Sequence, residues 1–221
     1  MSIQTETLSF DPDALALKYR QERDKRVRVD GNEQYQEVVG EFAYFVEDPY
    51  IDETLQRDPL EDEVEVVIIG GGFGGLLAAA RLREAGIHDF RIIEKGGDFG
   101  GTWYWNRYPG ARCDAESLAY SFSFSSELEQ SWQWSERYAQ QPEILSYASH
   151  VADQFQLRPL IQFNTQVTSA IWQELPCHWV IETALGERFT ADFCVMATGC
   201  LSVPQRPDIP GLETFAGNFY Q

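Results

Sequence analysis

The sequence lacks any run near the roughly 18 apolar residues that a membrane span requires. Its opening, Met1-Ser2-Ile3-Gln4-Thr5-Glu6, has no basic stretch ahead of an apolar core, so no signal peptide is expected. Cysteine is scarce. Cys113, Cys177, Cys194 and Cys200 have no metal-ligand spacing, so no metal site is expected and reduced thiols in a cytoplasmic protein are the default reading. Positive charge is also short: 17 Lys and Arg face 35 Asp and Glu, a net charge of −18, which argues against nucleic acid as a partner. With 43% hydrophobic and 14% aromatic residues in 221, the chain is nonetheless long and apolar enough to bury a substantial core.

The negative charge is uneven. Residues 1–63 hold 17 Asp and Glu against 7 Lys and Arg. One helix is expected from Asp13 to about Val29, on Leu15, Leu17, Tyr19 and Val27, and a weaker one from Tyr35 to Val46. Glu47-Asp48-Pro49-Tyr50 and Asp58-Pro59-Leu60-Glu61-Asp62-Glu63 read as extended linker. A solvated arm and an arm wrapped on the body both fit this segment. The expected division is an acidic extension over 1–62 and a globular domain over 63–221.

Then the pattern changes. Val64-Glu65-Val66-Val67-Ile68-Ile69 reads as a buried parallel strand that stops at glycine. Gly70, Gly72 and Gly75 form G-x-G-x-x-G: the first for a tight turn, the second for backbone approach to a pyrophosphate, the third for helix packing on the strand. A helix over Leu76 to Ala85 ends at Gly86, a suitable C′ glycine, and its N-terminal amides and dipole would face phosphates. A second strand, Phe90 to Ile93, delivers Glu94, 24 residues after Gly70. A carboxylate there accepts hydrogen bonds from ribose hydroxyls and repels a 2′-phosphate. Together these describe an ADP-binding βαβ unit for FAD or NAD rather than NADP.

From Lys95 to Asp114 the chain carries five glycines and a proline in 20 residues, which excludes a regular helix or strand. It is too aromatic for a solvated loop and suggests backbone pressed against a large flat ligand. A helix is expected from Gln141-Pro142-Glu143-Ile144, with a stripe of Ile144, Leu145, Ala148, Val151, Ala152 and Phe155 that leaves His150 at the surface. Ile161, Phe163, Thr165 and Val167 alternate as a strand. His178 to Thr183 and Glu187 to Thr190 form a hairpin across Ala184-Leu185-Gly186, and Phe193-Cys194-Val195-Met196 is a further buried strand ending at Ala197-Thr198-Gly199. The expected fold is α/β: a Rossmann-like FAD-binding domain of the two-dinucleotide flavoprotein type, with a small antiparallel β crossover and an N-terminal helical extension.

Over residues 60 to 221 the chain resembles the FAD-binding half of the Baeyer–Villiger monooxygenases, the class B flavoprotein monooxygenases. Beside the glycine fingerprint, Gly100-Gly101-Thr102-Trp103 through Tyr108-Pro109-Gly110 to Asp114 resembles the family's G-G-x-W-x₄-[F/Y]-P-G-x₃-D motif. Ala197-Thr198-Gly199 resembles its second flavin-contact motif, and Phe215-Ala216-Gly217-Asn218-Phe219-Tyr220-Gln221 the opening of its F-x-G-x-x-x-H-x-x-x-W-[P/D] fingerprint. The long acidic extension resembles a subgroup acting on bulky cyclic, steroid-like or terpenoid ketones. The resemblance implies that Glu94 holds the adenosine ribose and that Phe73 and Gly74 lie by the pyrophosphate. It implies that Thr102, Trp103, Tyr104, Trp105, Asp114 and Tyr120 line the flavin, that Val167 meets the adenine end through its backbone, and that Arg112, Cys113 and Asp114 border the nicotinamide. Asp114 would be the catalytic acid. The implied activity is an FAD- and NADPH-dependent insertion of one oxygen of O₂ beside a ketone carbonyl, giving an ester or lactone. A flavin-containing N- or S-oxygenase and a non-catalytic FAD-binding module remain as alternatives.

The chain departs from the family pattern in two places. Gln221 stands where the fingerprint has histidine, and a neutral amide cannot serve as an ionisable switch. The Trp-Pro end of that fingerprint, the second glycine motif and the family's arginine do not occur in these 221 residues. The expectation is therefore that this length of chain alone does not oxygenate ketones. The sequence leaves the oligomeric state and the particular ketone open.

Overall fold

The structure, a computed structural model, describes residues 10–29, 31, 47–51, 57–202, 211 and 214–217. The expected helix over Tyr35 to Val46 and the last four residues of the fingerprint stretch lie outside these.

Strand β1 (Glu61–Ile69) is buried continuously from Val66 to Ile69, as a parallel strand covered on both faces must be. It pairs in parallel with β2 (Phe90–Ile93) on one side and with β6 (Arg188–Met196) on the other. The two-residue β3 (Ile161–Gln162) extends the parallel edge beside β2. Beyond β6 the direction reverses through β5 (His178–Thr183) and β4 (Val167–Gln173), so one six-stranded sheet runs β3-β2-β1-β6-β5-β4.

Side-chain alternation along β1 sorts the two faces. Val66 and Ile68 join Leu76 and Ala79 of α2 (Phe73–Glu84) and Tyr147, Ala148 and Val151 of α6 (Gln141–Gln154) in one core. Val67 and Ile69 point the other way, into a cluster with Ile93, Ile181, Phe189 and Ala191 that is drawn from strands alone. Ile68 has no solvent exposure, so truncating it to Ala would cost about 2–5 kcal/mol.

Five sequence expectations need correction. The first helix, α1, spans Pro12–Asp24 rather than reaching Val29; Asp11 caps it by accepting from the amides of Asp13 and Ala14, and none of its residues is buried. Helix α2 starts a turn before Leu76, and Gly86 takes the expected C′ place at φ 82°. The acidic Glu61-Asp62-Glu63 belongs to β1, not to a linker, because Glu61 pairs with Arg188 and Asp62 also holds Arg91 at 2.5 Å. The strand expected from Ile161 to Val167 is two strands, broken where Asn164 turns to φ 54° and donates its amide to Gly96 O. The last two strand candidates are one nine-residue strand, β6, whose Phe193 and Met196 are 60% and 63% exposed rather than buried.

The arm is wrapped on the body at residues 48–51 and at Arg57, while α1 has no buried residue. Arg57 donates to the buried Glu187 at 2.7 Å, to Phe163 O at 3.3 Å and to Thr165 Oγ1. Residues 47–51 lie against the loop after β2: Tyr50 donates its hydroxyl to Trp105 O at 3.1 Å, and the Arg107 guanidinium stacks on the Tyr50 ring at 3.6 Å.

Candidate functional site

The turn after β1 is built by close backbone approach. Gly70 sits at φ 108°, and a Cβ there would come 2.5 Å from the carbonyl oxygen of Ala197, which follows β6 and donates its amide to Ile69 O. A Cβ on Gly75 would lie 1.9 Å from Gly70 O, so only glycine lets α2 seat on β1. Gly72 caps α2 with no side-chain bond. The amides of Phe73, Gly74 and Gly75 take no backbone partner among the described residues, and the first helical bond comes from Leu76 N to Gly72 O. Three free amides at the positive end of a 12-residue helix suit a phosphate group.

Across from this end lies the second glycine pair. Gly100 N donates to Gly71 O at 3.1 Å, and a Cβ on Gly101 would meet Gly72 Cα at 2.8 Å. Gly100 and Gly101 adopt φ 129° and 54°, open to glycine and strained for other residues. The glycine turn and the aromatic loop thus meet backbone to backbone beside the free α2 amides, and neither Gly72 nor Gly101 puts a side chain in the way of a pyrophosphate there.

Glu94 follows β2 directly and is 4% exposed. Its Oε2 accepts from Gly71 N at 2.5 Å and its Oε1 from Gly96 N at 2.7 Å. Burial pushes its carboxyl above the usual range, while the amides of Gly96 and Gly71 and the Lys95 ammonium oppose that shift. A carboxylate has about four acceptor positions. Two are taken, and two can receive ribose hydroxyls. The carboxylate therefore binds the glycine turn to β2 and keeps acceptors for a ligand.

The aromatic loop folds inward rather than lying open. Trp103 and Tyr104 of the four-residue α3 (Thr102–Trp105) are buried. Trp103 Nε1 donates to Tyr120 Oη at 2.9 Å, and Tyr120, the last residue of α4 (Ser117–Tyr120), also packs on Phe73 at 5.1 Å between ring centres. Cys113 is buried with Trp103, Ala139 and Ile144. Gln141 begins α6 and fixes the loop by donating to Trp103 O at 2.5 Å. The structure thus gathers Phe73, Trp103, Cys113 and Tyr120 into one wall beside the α2 N-terminus.

Most other expected site residues are not buried in that wall. Asp114 is exposed. Arg112 donates to Glu136 at 2.9 Å and to Tyr138 O at 3.0 Å on the surface; the bond from Gln140 first, and then that from Arg112, lower the Glu136 carboxyl. Thr102, Thr198 and Gly199 are exposed, Trp105 is half-buried, and Val167 sits at the start of β4 opposite Thr183. Ala197 lies against Gly70 and Gly74.

Sequence reasoning missed Asp48. Its Oδ2 accepts from Tyr104 Oη at 2.6 Å and from Gly97 N at 2.9 Å, while Oδ1 accepts from Tyr50 N at 2.9 Å. Burial first, and then this bond to Asp48, hold the Tyr104 phenol well above its usual range. The available signal was Asp48-Pro49-Tyr50, a turn-forming triplet with an aromatic residue inside an otherwise solvated acidic stretch.

A sequence family described as pyridine nucleotide-disulphide oxidoreductase matches residues 67–221. A Baeyer-Villiger monooxygenase of Streptomyces coelicolor is 44% identical over 212 residues, covering 95% of this chain and 35% of the relative. Ketocytochalasin monooxygenase of Aspergillus clavatus is 41% identical over 216 residues, covering 97% and 33%. Among solved structures, oxidized steroid monooxygenase bound to NADP is similar at 51% identity and a TM-score of 0.64, over 71% of this chain and 30% of that one. A cyclohexanone-bound cyclohexanone monooxygenase is similar at 43% identity and a TM-score of 0.64, over 71% and 30%. The chain spans about a third of the length of these relatives.

Proposed function

Since the chain belongs to the pyridine nucleotide-disulphide oxidoreductase family and, within it, to the Baeyer–Villiger monooxygenases, we propose that it supplies the FAD site of an NADPH-dependent ketone monooxygenase. The observation that carries this reading is the contact between the two glycine turns, Gly72 on Gly101, set between free helix amides and the buried Glu94. FAD bound there would supply the redox chemistry that links NADPH and O₂ to oxygen insertion beside a ketone carbonyl. The chain's residues do the holding. The amides of Phe73, Gly74 and Gly75 meet the pyrophosphate, and Glu94 accepts the ribose hydroxyls through the acceptor positions that Gly71 and Gly96 leave open. The wall of Phe73, Trp103, Cys113 and Tyr120 excludes water from one side of the ring system. Asp114, exposed at the end of the loop, is free to meet substrate or nicotinamide.

A cytoplasmic location, with all four cysteines free, belongs to the same proposal, as does the division into an extension over 1–62 and an FAD-binding domain over 63–221. No helix among the described residues is long and apolar enough to cross a membrane.

Purified protein titrated with FAD tests the reading. Tight binding with a shifted flavin spectrum, competed by ADP and weakened by Glu94→Ala, supports it. A chain that never retains FAD, or an alanine variant that binds as well as the parent, overturns it. A panel of cyclic ketones, amines and sulfides offered to the whole protein separates ketone oxygenation from N- or S-oxygenation.

A further inference from the structure

Glu94 and Asp48 accept from consecutive amides. Gly96 N donates to Glu94 Oε1 at 2.7 Å, and Gly97 N, the next along, donates to Asp48 Oδ2 at 2.9 Å. The turn that carries the buried carboxylate is therefore held on one side by its own residue and on the other by the N-terminal arm. Steric contact reinforces this. A Cβ on Gly97 would come within 2.4 Å of Ile51 Cγ2, and one on Gly96 within 2.9 Å of Tyr104 Cε1. Tyr104 is in turn fixed by its hydroxyl to Asp48 at 2.6 Å. Asp48 is itself shaped for the task, since its second oxygen closes the Pro49 turn on Tyr50 N.

We infer that residues 48–51 form a strap on the adenosine end of the dinucleotide site, with Asp48 the positioning residue that keeps Gly96 on Glu94. The inference rests on the reading of Glu94 as the ribose acid. Without Asp48, the buried Tyr104 hydroxyl loses its acceptor and must shift toward water, and the half-buried Gly97 amide keeps only that hydroxyl, at 3.1 Å, as a partner. Gly96 lies between them and Glu94, so the carboxylate loses the amide that aims it. The arm is then part of the cofactor site, although no residue of it need touch the cofactor.

The test uses the full 221-residue chain, with affinities for FAD and for ADP and the melting temperature without ligand. ADP probes the adenosine end alone. Asp48→Ala should weaken both ligands by the same factor, about tenfold or more, as expected for losing hydrogen bonds to a charged group. Asp48→Asn keeps one oxygen for Gly97 and Tyr104 and gives up only the bond from Tyr50, so it should restore most of the affinity for both. Equal affinity in Asp48→Ala and parent, whatever the melting temperature does, would make Asp48 a structural clamp and overturn the inference. So would weakened FAD binding with unchanged ADP binding. If Asp48→Ala does not fold, Tyr50→Phe loosens the same strap at Trp105 O. It should weaken FAD and ADP together by a smaller factor, and unchanged binding there counts against the strap. A parent chain that binds neither ligand removes the ribose reading first and the strap with it, an outcome distinct from failure of the strap alone.

Discussion

Gly72 and Gly101 meet backbone to backbone: a Cβ added to Gly72 would lie 3.3 Å from Gly101 Cα, and one added to Gly101 would lie 2.8 Å from Gly72 Cα. They are 29 residues apart in sequence and belong to two different glycine motifs. Neither has a side chain because the other occupies its place.

The contact is asymmetric, and so is the expected damage. Gly72 has an ordinary φ of −77°, so Gly72→Ala needs only a few tenths of an ångström of movement. Gly101→Ala adds backbone strain at φ 54°, which costs about 1–3 kcal/mol. Gly75→Ala, whose Cβ would lie 1.9 Å from Gly70 O, should be the most disruptive of the three. Urea unfolding of the ligand-free variants checks the order Gly75, Gly101, Gly72 from largest loss to smallest.

Glu94 gives the site a pH dependence. Burial raises its carboxyl above the ordinary 4.5, so ionising it costs more in the fold than in the unfolded chain. Its stabilising contribution is full below about pH 4.5 and is lost as pH rises through the native value. Ribose hydroxyls donate to the carboxylate, so FAD affinity should change in the opposite sense and tighten as Glu94 ionises. Titrations upward from about pH 4.5 should show this tightening in the parent chain and a flat profile in Glu94→Gln. A parallel slope in both would remove Glu94 from the ribose.

Arg57 and Glu187 predict a stability effect outside the ligand site. Glu187 has no side-chain exposure and depends on Arg57 at 2.7 Å, with Gln162 and Thr183 as further partners. Removing one member of such a pair costs about 3–5 kcal/mol when the other is left uncompensated. Because those neutral partners remain and Arg57 is 21% exposed, Arg57→Met should lie at the low end, about 3 kcal/mol. Chemical denaturation checks it.

Asp114→Ala should separate chemistry from folding. The residue is exposed, and substitutions at such positions stay within about ±0.5 kcal/mol. Melting temperature and FAD content should therefore match the parent. In the whole protein, ketone oxygenation should fall while FAD remains bound; unchanged product formation would remove Asp114 from the reaction.

The parts legible in the sequence were those set by local rules. The run Val66–Ile69, its three glycines and the carboxylate at the end of β2 follow from strand burial, turn sterics and βαβ spacing, and the structure assembles them in that order. Helix α6 was equally legible, from Pro142 at its start and its apolar stripe. What stayed hidden depends on contacts between distant segments. Nothing local marks Glu61–Glu63 as strand, since their pairing with β6 is set over 120 residues later. Asp48 reads as solvated until Gly97 and Tyr104 fold against it. Phe193 and Met196 read as core because an apolar run does not show which of its residues the neighbouring elements leave uncovered.

The continuous strand β6 ties two tasks to one register. Arg188 opposite Glu182 sets the hairpin, and Met196 opposite Ile69 delivers Ala197 beneath Gly70. Extra residues in the Ala184–Gly186 turn are absorbed at the surface, which makes this turn the place to attach a tag or a reporter. One residue inserted between Arg188 and Met196 would reverse every following side chain and move Ala197 off the glycine turn. A library of single-residue insertions should therefore show an abrupt edge at Arg188, with FAD-binding variants before it and none through Met196.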